Sequence, residues 1–130
     1  MKVLIYIEQL AEPSFTYTNE IINWAHDNIE NLVTFDLDNF SDPYMFKYAM
    51  QLVENEEKIS IVIDIKEKTE AGKMTGLIEK IIQHKEKCMV MMNGEQVMIE
   101  KMLSILKERY RHEADTPARK KIIAEFMNSN

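Results

Sequence analysis

Four short apolar runs constrain the fold of this chain more than any single motif does: VLIYI at 3–7, VTFDL at 33–37, ISIVIDI at 59–65 and CMVMM at 88–92. Each is followed by a stretch with helical spacing. Strands that are apolar on both faces need cover on both faces, and a parallel sheet between two helix layers supplies it. The pattern predicts an α/β fold, a three-layer α/β/α sandwich with four parallel strands. Right-handed crossovers favour the order 2-1-3-4, with an extra helix at the C-terminus. The run at 59–65, richest in Ile and Val, belongs at the centre of the sheet. The run at 33–37, interrupted by Thr34 and Asp36, belongs at an edge.

A length of 130 residues suits one domain, 1–130, with one core. The 22 acidic residues against 16 basic ones leave a net charge of −6, which repels phosphate backbones and anionic bilayers. Neither nucleic acid nor a membrane is an expected partner. One cysteine, Cys88, makes no internal disulfide, and the opening residues lack a signal-peptide pattern, so a cytoplasmic setting is expected.

Helix starts are marked by Ser41-Asp42-Pro43 and Asp115-Thr116-Pro117, each a capping side chain before an early-turn proline. Asn93 with Gln96 has the form of a capping box. Met74, Leu77, Ile78, Ile81 and Ile82 fall on one stripe of the third helix, and Met98, Met102, Ile105 and Leu106 on one stripe of the fourth. In the last helix Ile122, Ile123 and Phe126 are expected to face inward.

The stretch EPSFTYTNEI at 12–21 places Ser14, Thr16 and Thr18 between the first strand and an apolar helix. It resembles the hydroxyl-rich phosphate loop of the flavodoxins, which implies a flavodoxin-like sheet and an anion site at Ser14 and Thr16. The glycine that lets backbone amides close on a phosphate is missing. Phe15, Thr18, Ile22, Ala25, Ile29 and Leu32 keep a helical phase through the stretch. A helix starting at Pro13, with first-turn amides open to an anion, is the simpler expectation.

In parallel sheets ligands bind beyond the carboxyl ends of the strands. There the chain places Glu8, Asp36, Asp38, Asp64 and Asn93, a set suited to a nucleotide or phosphate, or to Mg²⁺ in phosphoryl handling. Alternation within ISIVIDI turns Ile59, Ile61, Ile63 and Ile65 to one face and Ser60, Val62 and Asp64 to the other. Asp64 must therefore reach the rim or find a partner, Lys66 or a helix N-terminus being the nearest in sequence. AGKMTG at 71–76 lacks the first glycine of a P-loop. His26, His84 and His112 fall on three separate predicted helices, so none of them is assigned to a metal, and the sequence leaves the identity of any cofactor unknown. Cys88, opening an apolar strand, reads as a small buried hydrophobe.

Tyr17, Ile21 and Trp24 share a flank of the first helix and are the candidate interface residues. An open edge on the fourth strand offers a second route to a homodimer. The basic clusters RYRH at 109–112 and RKK at 119–121 lie on predicted helix faces. Without a nucleophile, a base pair or a glycine-rich loop, the favoured function is a non-catalytic binding or self-associating module. The alternative is a small-ligand or Mg²⁺-dependent phosphoryl-handling domain at the strand ends.

Overall fold

The computed structural model describes residues 1–13, 19–67 and 72–129. Along the chain run β1 (Lys2–Gln9), α1 (Glu20–Asn28), β2 (Leu32–Asp38), α2 (Pro43–Asn55), β3 (Lys58–Ile65), α3 (Met74–Gln83), β4 (Cys88–Asn93), α4 (Val97–Leu103), β5 (Tyr110–His112) and α5 (Thr116–Asn128). All strand pairs are parallel and the order is β2-β1-β3-β4-β5. The expected sandwich and the expected order of the first four strands hold, with β3 central and β2 at an edge. A fifth strand is added.

Strand alternation sorts the core into two layers. Val3, Ile5, Ile7, Ile59, Ile61, Ile63, Val90 and Met92 pack under α2, α3 and α4 through Phe46, Leu52, Leu77, Ile81 and Leu103. On the other face Leu4, Tyr6, Val62 and Met91 pack under α1 and α5 through Ile21, Ala25, Ile123 and Met127. Each fully buried Ile or Leu contributes roughly 1.5–3 kcal/mol by leaving water, so the two layers hold the sheet from both sides.

Several elements differ from the sequence expectation. The first helix starts at Glu20, not Pro13: Asn19 is extended (φ −128°, ψ 112°) and its side chain accepts from the Ile22 N–H at 3.1 Å. An N-cap residue of this kind sets the helix boundary whatever the phase of the residues before it. Gln96, not Asn93, caps α4, accepting from Met98 and Ile99. The buried stripe of α4 and the following turn is Ile99, Leu103 and Leu106, leaving Met98 and Ile105 exposed.

RYRH contributes a strand where a helix was expected, with Tyr110, Arg111 and His112 paired to Val90, Met91 and Met92. That pairing covers β4, so the dimer route through an open β4 edge is closed. In α5, Ile123 is buried as expected, Ile122 and Phe126 are half-buried, and Arg119 and Met127 also face inward. No helix among the described residues is long and apolar enough to cross a membrane.

Candidate functional site

Parallel register sets Asp38, Glu8, Asp64 and Asn93 side by side across β2, β1, β3 and β4. Side chains two residues apart share a face, and Tyr6 lies under α1 and α5, so this row borders the same helix layer. Asp36 sits one row lower, beside Tyr6. The strand-end residues expected from sequence are thus brought together on one side of the sheet.

Asp64 is buried and paired within the chain. It is 6 % exposed and faces Arg119, which is 4 % exposed. Asp115 caps α5 by accepting from the Ala118 N–H at 2.9 Å, placing Arg119 in the first turn over the end of β3. Arg119 Nη2 donates to Asp64 Oδ1 at 2.6 Å and Nη1 to Oδ2 at 3.3 Å. The Tyr6 hydroxyl donates to Oδ2, and Arg119 Nε donates to the Glu113 carbonyl at 2.7 Å. Burial, then the hydrogen bond to Asp64, pushes the Tyr6 phenol up, keeping it a donor. A two-pronged, charge-assisted pair of this kind is a strong and directional contact, and it ties α5 to the centre of the sheet.

The other acids have local roles. Glu8 meets Lys66 Nζ at 2.8 Å, and Asp38 Oδ1 accepts from the Phe40 N–H at 2.7 Å. Asn39 holds the Leu10 backbone at both ends, its Oδ1 accepting at 2.7 Å and its Nδ2 donating at 3.0 Å. Asp36 is the perturbed member: lost hydration, then the Glu8 charge and then Asp38, push its carboxyl up to about 6. Among the described residues, no group of three or more His, Cys, Asp or Glu is placed to hold a metal ion. Ser14, Thr16 and Tyr17 lie outside the described residues.

At the first-helix flank, Ile21 is 3 % exposed and packs into the core with Leu4, Ile123 and Met127, which removes it from any outer surface. Trp24 is half-buried against the same cluster. The cause is α5, which lies beside α1 and covers that flank.

No protein-family model, curated protein or solved structure matches this chain.

Exposed aromatic surface lies elsewhere, where β2 meets α2. Tyr44 is 79 % exposed and Phe40 and Tyr48 are each 46 % exposed, while Tyr48 stacks at a tilt on Phe35 with ring centroids 5.0 Å apart. Tyr44 and Tyr48 are four residues apart on α2, a spacing visible in the sequence as an aromatic pair on one flank. Arg119, by contrast, sits 55 residues from Asp64 and carries no local signal.

Proposed function

We propose that this chain is a non-catalytic binding module that associates with a second copy of itself. The observation that supports it best is the aromatic surface at the β2–α2 side. Three large rings, Phe40, Tyr44 and Tyr48, stand exposed beside a seven-residue edge strand. Aromatic side chains are among the residues most enriched at interface centres, and the unpaired backbone groups of an edge strand invite a partner. The engagement of Asp64 by Arg119 and Tyr6 supports the same reading, since it gives the central strand-end acid a structural role. The buried, reduced Cys88 suits a cytoplasmic setting. Light scattering on a size-exclusion column over a dilution series tests the reading: a dimer mass at micromolar concentration is expected, and a monomer mass throughout contradicts it.

A small-ligand role at the strand ends draws on one observation, the Asp36 carboxyl raised to about 6 beside Glu8 and Asp38. Groups tuned towards neutrality are characteristic of binding and catalytic sites. Its test is a thermal-shift screen against Mg²⁺, FMN, nucleotides and phosphate, where a shift lost in Asp36→Asn supports it and a flat screen counts against it.

A further inference from the structure

The phase of β2 decides which of its backbone groups are open. Residue parity is fixed by the Asn39 N–H, which donates inward to the Glu8 carbonyl at 3.2 Å. Odd-numbered residues of β2 therefore bond to β1, and even-numbered residues turn their N–H and C=O away from the sheet. The Asp38 N–H confirms this phase. It points outward and is closed by Ser41 Oγ at 2.9 Å, while the Ser41 N–H closes the Asp38 carbonyl at 3.0 Å. The open edge thus ends at Asp38, with Thr34 and Asp36 as its central outward residues. The opposite edge of the sheet is β5, only three residues long.

We infer that β2 pairs antiparallel with β2 of a second copy about a two-fold axis at Phe35, joining the two sheets into one. This inference rests on the self-association reading above and names its surface. Thr34 and Asp36 are symmetric about Phe35, so Thr34 of each copy faces Asp36 of the other and both outward pairs of backbone groups are satisfied. The strand is self-complementary in this register. Phe35 then meets its own copy in the closely spaced, non-hydrogen-bonded position, with Tyr48 of each copy packed on its outer side.

Charge is compatible with the same register. Asp36 of one copy lies opposite Thr34 of the other, whose hydroxyl sits 2.9 Å from His26 Nε2. The carboxylate therefore meets a hydroxyl and an imidazole directly across the strands, while the two Asp36 carboxylates stand diagonally across the axis rather than opposite each other. A second copy is favoured over an unrelated strand because one sequence supplies both halves of the match: the open pair, the closed end at Ser41 and the acid opposite the imidazole.

The experiment compares the wild-type chain with Thr34→Pro, Tyr48→Arg and Phe35→Cys. Proline at an outward edge position removes an N–H that has no bonding partner among the described residues, so Thr34→Pro should keep its circular dichroism while weakening the dimer at least about tenfold. Tyr48→Arg, on the α2 side, should do the same without touching the strand backbone. Under oxidation Phe35→Cys should form a covalent dimer, and Leu32→Cys, displaced from the axis, should not; Cys88 is fully buried and does not compete. A wild-type dimer unchanged by folded Thr34→Pro and Tyr48→Arg would overturn this surface while leaving self-association standing. A wild-type monomer at all concentrations would overturn both.

Discussion

Arg119, in the first turn of α5, grips both carboxylate oxygens of Asp64 at the end of β3, at 2.6 and 3.3 Å, with both side chains almost fully buried. Removing one partner of such a pair leaves a buried charge without compensation. Asp64→Asn and Arg119→Met should each lower stability by about 3 kcal/mol or more, because the desolvation already spent on the remaining charge is no longer offset. The double variant Asp64→Leu with Arg119→Met should recover much of that loss. Urea denaturation measures all three, and single variants within about 1 kcal/mol of wild type would show that the pair does not hold α5.

Asp36 gives a pH signature of defined sign. Its carboxyl is raised from 3.8 to about 6 by lost hydration and by Glu8 and Asp38, so the folded state binds its proton more tightly than the unfolded chain. Stability contributed by this group therefore falls as pH rises from about 4 to about 6, and the penalty persists above 6. Asp36→Asn should melt higher than wild type at pH 7 to 8, with the gap closing towards pH 4. A gap of constant size across that range would contradict the assignment.

Cys88 is fully buried, and burial pushes its thiol up to about 12. The thiolate is the reactive form, so the folded protein should resist thiol reagents at pH 8 and react fully in denaturant. Rapid labelling of the native chain would mean that the start of β4 opens readily.

Gly94, just after β4, has φ +92°, and a Cβ there would lie 2.2 Å from the Ile65 carbonyl oxygen. Gly94→Ala combines a disfavoured backbone with a backbone clash, and should lower stability by about 2 kcal/mol or more. A thermal midpoint equal to wild type would contradict this account of the β4–α4 turn.

The sheet was legible in the sequence because strand signals come twice, once as apolar runs and once as alternation. Ile59 to Ile65 show both, and the alternation also gave Asp64 its face. The helices were legible where a cap agreed with the stripe, as at Asp42 and Asp115. At α4 two apolar sets, Met98 with Ile105 and Ile99 with Leu103 and Leu106, share helical spacing, so periodicity alone cannot choose between them.

β5 had no apolar run because its pairing with β4 is made by the backbone, which RYRH can do as well as any sequence. Of the site, the strand-end acids were readable from where the runs end. The Asp64–Arg119 pair was not, since it depends on how α5 returns across the sheet. The Tyr44–Tyr48 pair was present in the sequence, but its exposure depends on β2 lying at the edge with nothing beside it among the described residues.

The most direct measurement of the central claim is amide hydrogen exchange at Thr34 and Asp36 at two protein concentrations. Both N–H groups face away from the sheet, so a monomer leaves them open to water and a β2–β2 dimer protects them. Slow exchange at high concentration that becomes fast on dilution, while Val33 and Phe35 stay protected throughout, is the predicted result. Fast exchange of Thr34 and Asp36 at every concentration would contradict pairing through this edge.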